Sequence, residues 1–318
     1  MKAFLLVGIS VLMGMSLTLV AAEDSVATRK PVLVCSTTQI ADFTREIVGD
    51  QCVVKSILAP GADPHTYMPT PQDAKIVLGA DLCLQNGLHL EGKNWMGTLA
   101  RDANKPLVTC TKGIKPIELE AEGEKIADPH AWFSARNVAV YVNNILRAVS
   151  RLDPSEQGRY AARAKLYLQQ LRVLDVWVRE QVNRISPQRR ILVTSHDAFN
   201  YFCQEYKFNS QYNYLSLAPV GWSTGSEVGA GMTPRRRKKV IDSIRNYGAP
   251  AVFVETSVNP KLIREIAKEA GIDVGGKLYS DSMGESGTAG ETYIGMMREN
   301  VLTIVTALKI GVKEGKQE

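Results

Sequence analysis

The stretch from Asp153 to Ser186, DPSEQGRYAARAKLYLQQLRVLDVWVREQVNRIS, is the clearest helix signal in the chain and decides how the rest is arranged. Asp153 stands as an N-cap, Pro154 at the first helical position and Glu156 at the third, the pattern of a capping box. Tyr160, Ala164, Tyr167, Leu171, Leu174, Val178, Val182 and Ile185 then recur at steps of three and four until Ser186-Pro187 stops the run. Roughly 32 residues at ~1.5 Å each make a rod of about 48 Å. An apolar stripe of that length predicts a stiff linker, residues 153–186, packed on a lobe to either side, with small lobe movement.

Outward from the linker, both flanks alternate short strands with helices. On the amino-terminal side, residues 23–152, VLVCS, CVVKSIL, DLCLQN and PLVTC are apolar runs of strand length, with helices expected near Ile40–Val48, Pro71–Gly79 and Ser134–Arg151. On the carboxyl side, residues 187–318, ILVTS, AVFVE and KLYSD read as strands between helices at Asp197–Tyr206, Pro234–Tyr247 and Pro260–Ala270. The fold class is therefore α/β, two parallel-sheet lobes joined by one long rigid helix.

Residues 1–22 carry Lys2, a long apolar run and small residues before Glu23 and Asp24, as a secretory signal cleaved near Ala22 requires. An uncleaved membrane anchor is the alternative. No Cys stands at the cleavage point, so a free, unlipidated periplasmic protein is expected. The five cysteines, Cys35, Cys52, Cys83, Cys110 and Cys203, form no CxxC and sit mostly in apolar runs; they read as buried thiols. A net charge of +5 with one basic cluster, Arg235 to Lys239 behind Thr233-Pro234, reads as a solvated helix face and argues against a nucleic-acid partner.

Four histidines exist, and three share a context. His65 follows CVVKSIL, His196 follows ILVTS, and His130 lies downstream of PLVTC, beyond the carboxyl ends of parallel strands where ligands of open α/β sheets bind. Asp281, after KLYS, takes the corresponding place in the second lobe. Three imidazoles and a carboxylate, two donors from each lobe, make an N3O set suited to one divalent transition metal ion. The string Ala-Asp-Pro-His occurs twice, at 62–65 and 127–130, and each Pro stiffens the loop that presents its His. Asp63, Asp128 and Asp197 are candidates to hold the histidines' other nitrogens. His89 reads as a surface residue. Glu255, at the end of AVFVE, is an alternative ligand, although a cap or a hydrogen bond to the next helix suits it better.

Two enzyme-like strings fail in context. GWSTG around Ser223 would need a later histidine to complete a hydrolase triad, and none follows His196. GIDVGGKL, 271–278, ends in Leu278 where a phosphate loop needs Ser or Thr, and reads as a turn. The enzyme alternative is a secreted zinc-dependent hydrolase with a three-histidine metal site and Asp281 as general base. Four protein ligands close a site, however, so a binding protein rather than an enzyme is expected.

GADPHTYMPTP, DPHAWFS, TSHDAFNYF, GWSTGSE, VFVETSVNP and LYSDSMGESGTAGETYIGMMRENV together resemble the TroA-like metal-binding proteins that serve ABC importers for zinc, manganese or iron. The resemblance covers nearly all of the chain after the signal. It implies two α/β lobes on one long helix and a metal ligand in the cleft. The partners it implies are an inner-membrane permease with its cytoplasmic ATPase, and the protein is expected to act as a monomer. The family's ligands, the histidines of GADPH and DPHAW, the residue after TS and the aspartate of YSD, fall on His65, His130, His196 and Asp281. TSHDAF departs from the TSEGAF of manganese-type relatives, and KGIKPIELEAEGEKIADPH lacks the His-rich loop of zinc-type ones. These departures leave manganese, zinc and ferrous iron all open as the cargo.

Overall fold

The computed structural model describes residues 29–121, 124–210, 217–218 and 234–309. The signal, Thr233 and the GWSTG string lie outside the described residues. Strands β1 (Val32–Cys35), β2 (Val53–Ser56), β3 (Leu82–Gln85) and β4 (Leu107–Thr109) form a parallel sheet in the order β2-β1-β3-β4. They read as unbroken apolar runs because both faces are covered. Leu33, Cys35, Leu82 and Leu84 pack into a core with α1 (Thr38–Val48), while Val34 and Cys83 point the other way, among Val77 of α2 (Pro71–Leu78) and Trp95, Met96 and Ala100 of α3 (Trp95–Asp102).

Helix α3 was not anticipated, nor was the antiparallel hairpin of β5 (Glu118–Ala121) and β6 (Glu124–Ala127), whose exit leads directly into Asp128-Pro129-His130. Helix α4 (Ala135–Leu152) follows, its first turn capped by the Ser134 hydroxyl, which accepts from the Asn137 N–H. The linker is α5 (Gln157–Val182), 26 residues and so about 39 Å long, shorter than expected at both ends. The expected capping box is absent: residues 154–156 form a 3-10 turn without a side-chain cap, and the Asp153 carboxylate instead accepts from the Ser155 and Tyr160 hydroxyls.

The second lobe contains α6 (Asn200–Tyr206), α7 (Pro234–Asn246), β7 (Ala251–Glu255), α8 (Lys261–Ala270), β8 (Asp273–Leu278) and α9 (Tyr293–Lys309), with β7 and β8 parallel. Two strand expectations need correction here. ILVTS makes one bridge among the described residues, Val193 to Leu217, and the Asn209 side chain pairs with both backbone groups of Leu192: its Oδ1 accepts at 2.8 Å and its Nδ2 donates at 3.1 Å. KLYSD is extended only to Leu278; the Asn300 side chain engages the N–H and carbonyl of Tyr279 in the same way, at 2.9 and 2.8 Å. GIDVGGKL is neither phosphate loop nor turn, since residues 273–278 form β8. Its glycines let α9 lie close, for a Cβ at Gly275 would come within 2.6 Å of the Ala307 methyl.

The larger core is continuous across the molecule. It takes in β1, α1, α4, α5, α6 and α9, whereas a smaller one lies between Ile191, Val193, α7, β7 and α8. The linker is tied to α6 by Arg179, which pairs with the Glu205 carboxylate and donates to its carbonyl, and by Asp175, which accepts from the Tyr206 hydroxyl. In the basic cluster, Arg237 pairs with Glu265 and Glu269 of α8, and Lys238 with Asp242. All five cysteines are buried and free. No helix among the described residues is long and apolar enough to cross a membrane.

Candidate metal centre

The two Asp-Pro-His strings fold alike. In each, the aspartate accepts a hydrogen bond from the histidine's backbone N–H, Asp63 Oδ1 from His65 at 2.8 Å and Asp128 Oδ1 from His130 at 2.9 Å, a short Asx turn that throws the imidazole inward. They come from different edges of the first lobe, after β2 and after β6, and their rings meet: His65 Nε2 and His130 Nε2 are 3.2 Å apart. From the second lobe, His196 Nε2 stands 3.1 Å from Asp281 Oδ2, while Asp281 Oδ1 is 3.3 Å from His130 Nε2 and 3.9 Å from His65 Nε2. One donor atom from each of the four residues falls within 4.8 Å of all the others, and all four side chains are buried. The arrangement can hold one metal ion.

Without an ion, Asp281 pairs with the Nε2 atoms of His196 and His130, while His65 Nδ1 has no hydrogen-bond partner. A cation held by all four donors would take the place of the Asp281–histidine contacts.

The outer partners of the histidines differ from expectation at two of three positions. Asp128 behaves as anticipated, with Oδ1 at 2.7 Å from His130 Nδ1. Its Oδ2 accepts from Asn200 Nδ2 at 2.8 Å and its carbonyl from the Tyr201 hydroxyl at 2.9 Å, so α6 holds the His130 loop from across the cleft. Asp63 does not reach a ring nitrogen; its oxygens are taken by the His65 N–H and the Thr66 hydroxyl. Asp197 does not serve His196 either. Glu255 does, with Oε2 2.6 Å from His196 Nδ1 and Oε1 accepting the His196 N–H at 2.9 Å. The signal for it was present in the sequence, a carboxylate at the carboxyl end of a buried strand. His89 is exposed, as expected.

Charge is distributed unevenly over the cluster. Burial, opposed in part by Asp281, pushes His65 down to about 3, so that its ring is neutral. Burial also disfavours charge on His130, but the Asp128 and Asp281 carboxylates outweigh it and hold the ring up at about 9. Glu255 and Asp281 likewise overcome burial to raise His196 well above the ordinary imidazole range. Against its own burial, Asp281 is held well below the usual carboxylate range by His196 and His130. Without metal, the Asp128, Glu255 and Asp281 carboxylates thus favour protonation of His130 and His196, while burial keeps His65 neutral.

A family model described as the zinc-uptake complex component A, periplasmic, matches residues 33–307. The chain belongs to this family. Within it, the manganese-binding lipoprotein MntA of Bacillus subtilis is 38% identical over 280 residues, 86% of this chain and 88% of MntA. The metal ABC transporter substrate-binding lipoprotein ScbA of Streptococcus cristatus is 33% identical over 283 residues, 87% of this chain and 88% of ScbA. Among solved structures, the periplasmic zinc binding protein TroA from Treponema pallidum matches with a TM-score of 0.80 and 31% identity, over 88% of this chain and 99% of TroA. The manganese-bound periplasmic metal binding protein of Candidatus Liberibacter asiaticus matches with a TM-score of 0.76 and 29% identity, over 88% of this chain and 100% of that one. These likenesses bear out the TroA-like resemblance and the two-lobed α/β fold, and lend no support to a zinc hydrolase. MntA and ScbA are named lipoproteins, at odds with the expected absence of a lipid.

Proposed function

We propose that this protein is the substrate-binding component of an ABC importer for a divalent transition metal ion, and that His65, His130, His196 and Asp281 are the ligands of its cargo. The observation that carries the reading is the convergence of four buried donors from two lobes, with one ligand atom of each within 4.8 Å of all the others. The partners are a membrane permease and its ATPase, which receive the ion. The protein acts as a monomer, binds no nucleic acid and catalyses no reaction, since four protein donors leave no open position on a tetrahedral ion for a reacting water. A first lobe (23–152), a linker (153–186) and a second lobe (187–318) make up its domains, a division supported by the long course of α5.

The protein works in the periplasm. Mass spectrometry of the exported protein should find an amino terminus near Glu23; a mature chain that keeps Lys2 would show that the signal is not removed.

A competition titration tests metal choice and mechanism together. Nitrogen-rich donor sets bind zinc more tightly than manganese, so zinc should win by at least about tenfold at neutral pH. Because metal displaces the protons of His130 and His196, capture at neutral pH should release close to two protons. Affinity should then climb by roughly one to two decades per pH unit up to about 9, above the ordinary imidazole range near ~6.5. Tighter binding of manganese would mean that other oxygen donors dominate. A flat affinity between pH 7 and 9 would mean that His130 and His196 are already neutral there, and one that stays flat down to about pH 5.5 would remove them from the ligand set.

A further inference from the structure

The loop between β3 and α3, NGLHLEGKN at 86–94, contributes no donor to the cluster, yet it is the most contorted backbone near it. Gly87, Leu88, His89, Gly92 and Asn94 all have positive φ, from 47° to 86°, in a region that Leu and His rarely occupy. Such a conformation persists only where its surroundings hold it. Here the buried Glu91 carboxylate does so, Oε1 accepting from the Asn86 N–H at 2.7 Å and the Ser36 hydroxyl at 2.8 Å, and Oε2 from the Gly87 N–H at 3.0 Å.

The loop's outward contacts fall on both Pro-His pairs. Trp95 Nε1 donates to the carbonyl of Pro64, before His65, at 3.0 Å. Asn86 Nδ2 donates to the carbonyl of Pro129, before His130, also at 3.0 Å; the Tyr141 hydroxyl donates to Asn86 Oδ1 at 2.7 Å and fixes the amide's direction. Gly92 lies against His65 itself, where a Cβ would overlap the His65 carbonyl oxygen.

We propose that this loop is a bracket that sets the separation and orientation of His65 and His130, with Asn86, Gly92 and Trp95 as positioning residues for the first-lobe half of the metal site. The inference rests on the reading of the cluster as a metal site. It gives the repeated Asp-Pro-His string a shared mechanical support: each imidazole is aimed by its own Asx turn, and one external loop grips the proline carbonyl before each. Held in this way, the two nitrogens keep their spacing whichever ion arrives, and ions that fit that spacing poorly are disfavoured.

The test is Trp95→Phe, which deletes the indole N–H while keeping an aromatic ring against Tyr67, with Gly92→Ala as a second variant. Zinc affinity is measured against a chromophoric chelator, cobalt(II) absorption reports ligand geometry, and the melting temperature of the metal-free protein reports the fold. Tyr160→Phe, which loses a hydroxyl contact to Asp153 far from the cluster, is the control. Both loop variants should bind zinc about tenfold more weakly and shift the cobalt spectrum, with metal-free melting close to that of the control; Tyr160→Phe should leave affinity and spectrum unchanged. If Gly92→Ala does not fold, Trp95→Phe decides. Unchanged affinity and spectrum in Trp95→Phe would overturn the bracket and leave the metal reading standing. Failure of the unmutated protein to bind zinc or cobalt would overturn both.

Discussion

Asp281→Ala should lose metal affinity by about two to three and a half decades, the largest single effect expected in this protein. Asp281 is the only anion among the four donors, is 2% exposed, and directs both oxygens at imidazole nitrogens, Oδ1 towards His130 and His65 and Oδ2 towards His196. Removing one partner of a buried, hydrogen-bonded charge pair costs about 3–5 kcal/mol, which converts to that range of dissociation constants. A smaller opposing effect is built in. Asp281 also helps to keep protons on His130 and His196, so its loss eases the competition that metal faces from protons. Asp128 and Glu255 remain to hold those rings, and the opposing effect recovers only part of the loss. Calorimetric titration with zinc measures the outcome; a loss of less than tenfold would show that the carboxylate is not a ligand.

The second large effect is thermal. Zinc at about 1,000 times its dissociation constant should stabilise the folded protein by ~4 kcal/mol. With an unfolding entropy of ~2.1 cal/mol/K per residue over a chain of 318 residues, the melting temperature should rise by about 6 °C. The gain depends on His65 and His130 in one lobe being bridged to His196 and Asp281 in the other, and in Asp281→Ala at the same zinc concentration it should fall to about 2 °C or less. A melting temperature that ignores zinc, or that rises equally in the Asp281 variant, would contradict a bridging ion.

How much of this was legible in the sequence depended on whether a signal was local. β1 and β3 could be read from four-residue apolar runs because successive residues face two different dry cores. β8 could not: DVGGKL is exposed at Asp273, Val274 and Lys277 and has two glycines whose role is to admit α9, so Leu278 and Tyr279 drew the expected strand too far along the chain. Neither Asn209 nor Asn300 announces that it will act as a side-chain strand partner. At the centre, Asp128 was legible because an aspartate two residues before a histidine can reach its Nδ1. Asp197 and Asp63 are just as near in sequence but have other surroundings, and the group at His196 Nδ1, Glu255, lies 59 residues away on the neighbouring strand. The convergence of the four candidate donors was legible from the apolar runs before them, although His130 enters from the antiparallel β6 and the run before His196 makes a single bridge among the described residues.

The packing of α9 has a consequence for the order of events during synthesis. Tyr293, Met296, Met297, Val301, Ile304 and Leu308 complete the same core that holds β1 and α1, and Tyr293 joins it by polar contacts as well, its N–H to Asp42 at 3.0 Å and its hydroxyl to the Trp132 carbonyl, two residues past His130, at 2.7 Å. The first strand made therefore waits for the last helix. A nascent chain lacking residues 293–318 leaves that core open, and the Trp132 carbonyl without the Tyr293 hydroxyl, however long synthesis pauses. Such a chain should bind a dye that reports exposed apolar surface and melt without a cooperative transition; a sharp transition in the truncated protein would refute this. The dependence delays closure of the fold until the chain is complete, and with it the moment at which the protein can first take up an ion.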